Sequence, residues 1–203
     1  VQYRMNEALM RFSSDWFYQG QLQAAPEVKH RSLLDDIDDS LVWIDTAECV
    51  DDNHEQFIGN SYGRINKAEA QLTLQALHNY AQRFGRHRLI EERIDFGIIS
   101  PYRAQVQYLR SLIKKDDYLR PLRKQITVNT VDAFQGQERD VILVSLVRAN
   151  EEGQIGFLND LRRMNVAITR ARYKLIILGS AATLCKHKFY KKLYDSCKHT
   201  SVN

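Results

Sequence analysis

The run Val141 to Val147 (Val-Ile-Leu-Val-Ser-Leu-Val) is the strongest constraint on what this chain can fold into. A strand with one wet face alternates apolar and polar residues, whereas a strand covered on both faces is apolar almost throughout. Lys174 to Leu178, ending at Gly179, reads as a second buried strand; Leu41 to Ile44, Ile94 to Ser100 and Ile126 to Val131 read as three more. Helical patterns lie around them. Glu7 to Tyr18 is a short helix, and Asn66-x-x-Glu69 opens another in the manner of a capping box, with Gly85 closing it. Pro101 stands as the first residue of a helix through Ile113, and Leu158 to Thr169 and Ala182 to Cys197 are helical. Strands alternating with helices imply an α/β fold, a mostly parallel central sheet with helices on both faces.

Composition narrows the class. Of 203 residues, 44% are hydrophobic and 27% charged, as in an ordinary globular domain. No apolar run approaches the roughly 18 to 20 residues that cross a bilayer, so no membrane partner is expected. Three scattered cysteines (Cys49, Cys185, Cys197) form neither a disulfide framework nor a zinc motif, which favours a reducing, intracellular location, cytoplasmic or nuclear. The net charge of +4 is unevenly spread. Between Gln21 and Asn60, ten acidic residues (Glu27, Asp35, Asp36, Asp38, Asp39, Asp45, Glu48, Asp51, Asp52, Glu55) face only Lys29 and Arg31, so the remainder is strongly basic. A basic body suits a polyanion, and equally a solvated surface with no partner, so charge by itself does not choose between them. The stretch over residues 24–60 is expected to be irregular apart from its one strand, a solvated loop.

Ligands of parallel sheets bind at the carboxyl ends of strands, so polar groups just after strands are the ones to inspect. Four clusters qualify: Tyr3-Arg4; Ser100 to Gln105; Thr130 to Glu138; and Arg162 to Arg172. In the last, Arg163, Val166, Ala167, Arg170 and Lys174 follow at spacings of three and four, which places them on one helical face or its edges. The helix leads into a buried strand, so its arginines are aimed, as phosphate recognition requires. Gly136 permits close backbone approach, and Glu138 suits a ribose hydroxyl; the same Gln-Gly-x-Glu pattern also fits a plain turn.

Taken together and in order, these segments resemble the second motor domain of superfamily 1 helicases, in particular the Upf-type branch. The matching segments are Val1 to Met5, Ser100 to Gln105, Thr130 to Asp140, Val147 to Asn150, Gly156 to Asp160 and Arg162 to Arg172. The resemblance covers nearly the whole chain except the acidic stretch. It implies a RecA-like three-layer fold over residues 1–203 and a function as the second motor domain of an ATP-dependent DNA or RNA helicase or translocase. By that resemblance Tyr3 packs beside the adenine of ATP, Arg4 reaches the γ-phosphate, and Arg170 is the arginine finger. Glu138 contacts the ribose, with Gly136 giving room. Ser100, Tyr102, Gln105 and Thr130 face the single-stranded DNA or RNA, and Asp132, Arg148 and Asn150 couple that track to the ATP cleft.

No Gly-x-x-x-x-Gly-Lys-Ser/Thr loop occurs, nor an acidic pair for magnesium. Mg²⁺ ligands and the phosphate-cradling loop are therefore expected on a first RecA-like domain, the partner in the same polypeptide, and the chain alone is expected to be inactive. The competing reading is a non-catalytic nucleic-acid-binding module of RecA-like fold. A nuclease is disfavoured, because His30, His54, His78, His87, His187 and His199 are dispersed and form no metal-ligand spacing.

Overall fold

A computed structural model describes residues 1–34, 39–49, 53–59 and 63–202. Asp35, Asp36, Asp38, Asp51, Asp52 and Asn60, and the side chain of Glu48, lie outside the described residues, so the expectation of a solvated acidic loop is not addressed at those positions.

Six strands form one parallel sheet: β1 (Leu41–Asp45), β4 (Phe96–Ile99), β5 (Ile126–Asn129), β6 (Arg139–Ser145), β7 (Ala171–Gly179) and β8 (Lys198–Thr200), in the order β5-β4-β6-β7-β1-β8. A separate antiparallel hairpin pairs β2 (Gln56–Ile58) with β3 (Gly63–Ile65). Alternate residues of each strand point to opposite faces, and both faces are packed. Leu41, Trp43, Ile99, Ile142, Val144, Leu175 and Ile177 enter one core beside residues of helices α1 (Glu7–Phe17), α6 (Leu161–Ile168) and α8 (Lys188–Ser196). Val42, Ile44, Phe96, Ile98, Val141, Leu143, Ile176 and Leu178 enter a second core under α3 (Lys67–Phe84), α4 (Arg86–Glu91) and α5 (Arg103–Lys115). This is the three-layer α/β architecture expected for a RecA-like domain.

Several boundaries differ from the sequence reading, each for a local reason. Pro101 precedes the helix, which starts at Arg103 with Tyr102 as its N-cap. The segment from Leu158 splits into a 3-10 turn (Gly156–Asn159) and α6, because the Asp160 side chain accepts the Arg163 N–H and starts a new helix. The helix ends at Ile168, so Arg170 lies beyond its Thr169 cap and Lys174 belongs to β7; the shared helical face proposed for Arg163, Arg170 and Lys174 does not exist. The C-terminal segment holds α7 (Ala181–Leu184), α8 and the edge strand β8, whose exposed Lys-His-Thr carries no apolar alternation. The 24–60 stretch is more ordered than expected, adding α2 (Thr46–Cys49) and β2. Asn66 does cap α3, accepting from the Glu69 N–H at 3.0 Å. Glu69 does not complete a capping box: the Asn66 N–H donates to Gln105 instead, and Glu69 turns into the protein.

The segment from Val131 to Glu138 crosses one face of the sheet. It is pressed down by Phe134, fully buried over Gly97 of β4. A Cβ at Gly97 would come within 2.9 Å of the Phe134 ring and 2.6 Å of Ile142 Cδ1. We expect Gly97→Ala to lower unfolding free energy by about 1–3 kcal/mol through overpacking, measured by denaturant titration; unchanged stability would mean that Phe134 is not clamped there.

Candidate functional site

The polar residues singled out in the sequence divide into two clusters at opposite ends of the sheet. The first is at the amino ends of β6 and β7, not the carboxyl ends where such groups were sought. Here the opening segment is tied down by a bridge between Gln2 and Ala24 and by burial of Met5. The Gln2 side chain accepts the N–H groups of Arg4 and Met5, each at 2.8 Å. This turn sends Arg4 to Glu138, with Nε to Oε2 at 2.5 Å, while its Nη1 donates to the Thr169 carbonyl at 3.2 Å. Thr169 also accepts, at its hydroxyl, a bond from Arg170 Nη2 at 3.2 Å. One helix cap thus orients both arginines.

Arg172 binds three carboxylates, Asp140 at 2.9 Å and Glu138 and Asp95 each at 3.1 Å. Burial opposes ionisation of Glu138, but Arg4 and Arg172 outweigh it and hold its carboxyl below the usual range. Burial, with Asp95 adding to it, pushes Asp140 up. Arg170 differs from Arg4 and Arg172. Among the described residues its hydrogen bonds reach only neutral oxygens, the Gln137 carbonyl (3.2 Å) and Thr169. Its Nε is buried with no partner. Burial and then the Arg4 charge lower its affinity for a proton, with Glu138 opposing. Such a guanidinium is a ready receptor for an added anion. A cavity of about 440 Å³ is lined by Gln2, Tyr3, Arg4, Met5 and Glu138, with Tyr3 67% exposed; it shares Arg4 and Glu138 with this cluster, and Arg170 is not in its lining. Gly136 is exposed at φ +78°, a conformation that favours glycine.

The second cluster is at the carboxyl ends of the strands. Ser100 and Gln105 are fully buried, so neither presents a surface to a ligand. Gln105 accepts from the Asn66 N–H and donates to the Asn66 carbonyl and to Ser145 Oγ, all at 3.0 Å. Tyr102 is buried as well; its ring stacks on the half-exposed Phe157 at 5.3 Å, and its hydroxyl accepts from Arg148 at 3.2 Å. Arg148 is held by Glu55 at 2.6 Å, with both side chains under a tenth exposed. Burial disfavours the Arg148 cation, but Glu55 and Tyr102 outweigh it. Asn150 donates to the Gln154 carbonyl at 2.8 Å and to Glu55 at 3.2 Å. Thr130, half-buried, follows the last residue of β5 and donates its N–H to Asn129 Oδ1 at 3.0 Å, and Asp132 pairs with Arg163 at 2.5 Å on the outer surface.

Two residues of this cluster were given no place in the site from the sequence. Glu55 sat among the residues taken for a solvated loop, and no spacing marks it. Glu69 is fully buried: its Oε1 accepts from Ser145 Oγ at 2.7 Å and the Val147 N–H at 2.6 Å, while Oε2 has no partner. Its signal was available, since Glu69 falls on the apolar stripe of α3 with Leu72, Thr73, Ala76 and Tyr80. Among the described residues no three His, Cys, Asp or Glu side chains are placed to hold a metal ion, and no helix is long and apolar enough to cross a membrane.

Comparison with known proteins adds relatives to this geometry. A family model described as an AAA domain matches residues 1–182. The chain is 36% identical to the DNA polymerase alpha-associated DNA helicase A of Saccharomyces cerevisiae, over 99% of this chain and 30% of the relative. It is also 36% identical to the regulator of nonsense transcripts 1 homolog of Drosophila melanogaster, over 100% of this chain and 17% of the relative. It therefore spans less than a third of the length of either. The solved C-terminal domain of a possible DNA helicase from Lactobacillus plantarum superposes with a TM-score of 0.52, covering 98% of this chain and 99% of that one at 14% identity, a likeness of fold.

Two outcomes follow for the charged groups. Arg172→Ala leaves Asp95 and Asp140 without a cation among the described residues and Glu138 with Arg4 alone, and we expect a loss of about 1–3 kcal/mol in unfolding free energy, smaller at pH 5 than at pH 8 because protonation of Asp140, already pushed up, relieves the repulsion; an equal loss at both pH values would count against the network. Burial pushes the Glu69 carboxyl up to about 7, opposed by bonds from Val147, Ser145 and Leu146 and reinforced by Glu55. A carboxyl that holds its proton more tightly when folded favours the fold below its unfolded value of 4.5, and that contribution is lost as pH rises through about 7. The thermal midpoint is expected to fall between pH 5 and 8 by an increment that Glu69→Gln removes.

Proposed function

The chain belongs to the AAA-domain family, in the Upf-type branch of superfamily 1 helicases, and we propose that it is the second motor domain of an ATP-dependent DNA or RNA helicase or translocase. The observation that carries this reading is Arg170: a partly buried guanidinium, fixed by Thr169 and Gln137, with a buried nitrogen lacking any partner and Arg4 close by. A pure nucleic-acid binder has no use for a guanidinium held in this way. The donor set fits ATP, whose γ-phosphoryl group, when bound, is the group transferred to water, with Mg²⁺ held by the first motor domain. Tyr3, exposed on the cavity rim, would pack beside the adenine, and Glu138, reached across the space that Gly136 leaves open, would accept from the ribose. Arg4 would bind the γ-phosphate oxygens. Arg170 would stabilise negative charge developing on them.

Preorganisation is the contribution of the fold. Because Thr169 orients both arginines and Arg172 fixes Glu138, the charges need little rearrangement to meet a phosphate. At the other end of the sheet, Thr130 and Asn150 would touch the single strand. Ser100, Tyr102 and Gln105 would act beneath it by holding Arg148, Asn66 and Ser145 in place. Arg148, Asn150 and Asp132 would tie the track to the ATP cleft. One relative is named a DNA helicase and another an ATP-dependent helicase, and contacts to phosphates do not distinguish DNA from RNA.

In the full-length protein, Arg170→Ala should lower nucleic-acid-stimulated ATP turnover by about 10³-fold or more, with nucleotide binding largely kept. The isolated 203-residue chain should show no turnover. Undiminished turnover in the variant would overturn the finger assignment and leave the binding-module reading.

A further inference from the structure

The chain leaves β6 through an unusual turn. Val147 is β-branched and has φ +70°, a left-handed conformation that such residues strongly resist. The Arg148 N–H donates to the Leu146 carbonyl at 2.8 Å across it, so the three residues form a γ-turn of the strained, positive-φ kind. Val147 is fully buried, and its peptide groups are gripped from both sides by the first turn of α3. Its N–H donates to Glu69 Oε1 at 2.6 Å, and its carbonyl accepts from Asn66 Nδ2 at 3.0 Å. Ser145 Oγ, bonded to Gln105 at 3.0 Å, supplies the second bond to Glu69 at 2.7 Å. The next residue along the chain is Arg148, bound to Glu55 and Tyr102.

Strained backbone persists only where its surroundings over-determine it. Here two side chains from one helical turn do so, and one of them is a fully buried carboxylate with an oxygen left unpartnered. A carboxylate in that place is an expensive way to satisfy one backbone N–H. Its geometry suits a restraint that holds a turn against its own preference. We propose that Glu69 is a positioning residue that keeps the Leu146–Arg148 turn in its strained form, and that this held form, with Arg148 fixed against Glu55 and Tyr102, is what passes occupancy of the nucleic-acid track on to hydrolysis. The proposal deepens the motor reading and rests on its assignment of Arg148 to coupling. When the turn relaxes, Val147 returns to negative φ and Arg148 swings off Tyr102 and Glu55. When it is held, Arg148 and Asn150 keep the carboxyl-end surface in one arrangement.

The test uses the full-length protein and measures ATP turnover with and without a single-stranded oligonucleotide. Glu69→Ala should reduce the stimulation by nucleic acid about tenfold while leaving turnover without nucleic acid unchanged. Val147→Gly accepts positive φ without strain, so the turn no longer needs its restraint. The double variant Glu69→Ala/Val147→Gly should therefore recover stimulation to within about threefold of Val147→Gly alone, a rescue that mere loss of packing would not produce. The proposal is overturned if Glu69→Ala keeps full stimulation, or if the double variant is as poorly stimulated as Glu69→Ala. Should Glu69→Ala fail to fold, the comparison passes to Glu69→Leu, which fills the space but cannot accept the Val147 N–H: loss of stimulation there, recovered with Val147→Gly, supports the proposal, and full stimulation overturns it. Failure of the motor reading itself would show separately, as undiminished turnover in Arg170→Ala.

Discussion

Both ends of the molecule depend on the hydrogen-bonded pairing of β6 with β7. That ladder starts with Arg139 opposite Ala171, shifts register before Val141, and then runs regularly to Ser145 opposite Leu178. Just before it, the Arg139 N–H donates to the Arg170 carbonyl at 3.0 Å, which sets Glu138 and Arg170 side by side. Just after it, Leu146 donates to the Leu178 carbonyl at 3.1 Å, and the chain turns at Val147. A slip of one residue would invert every inward-facing side chain of both strands. It would also part Arg172 from its three carboxylates and Val147 from Glu69.

Charge is arranged differently at the two ends. At the amino ends, Glu138, Asp140 and Asp95 gather around Arg172, with Arg4 shared between Glu138 and Thr169, whereas the hydrogen bonds of Arg170, like those of Arg139, reach only neutral oxygens among the described residues. These groups are a quarter to a third exposed in the main, where ion pairs are weak individually and serve geometry more than stability. At the carboxyl ends the polar groups are dry. Glu55, Arg148, Glu69, Gln105 and Asn66 are buried or nearly so, and each missing partner there is costly. The first arrangement leaves charge available to a ligand; the second stores it inside.

Much of this was legible in the sequence because the strands are covered on both faces. Val141 to Val147 and the segment around Leu175 announce themselves as apolar runs, and the sheet follows from their alternation with amphipathic helices. Edge strand β8 left no such trace, since its exposed residues contribute only backbone pairing. Helical periodicity misled at Arg170: the spacing continued past Ile168, but the Thr169 cap ended the helix, and the arginine is placed by that cap. The expectation that polar site residues lie past the carboxyl ends of strands described Tyr102 and Arg148 but not Arg4, Glu138 or Arg170. Nothing in the local pattern around Glu55 distinguishes it from its acidic neighbours, because its role depends on Arg148, far away in the chain.

The segment pinned at Phe134 has a mechanical meaning. It leaves β5 at one end of the sheet and delivers Glu138 to the other, lying flat against β4, which is about 13 Å long. Closely packed layers of this sort resist bending far more than they resist moving as a block. The body therefore behaves as a ruler of fixed length. A displacement imposed at one end of such a packed span is carried to the other with little bending in between.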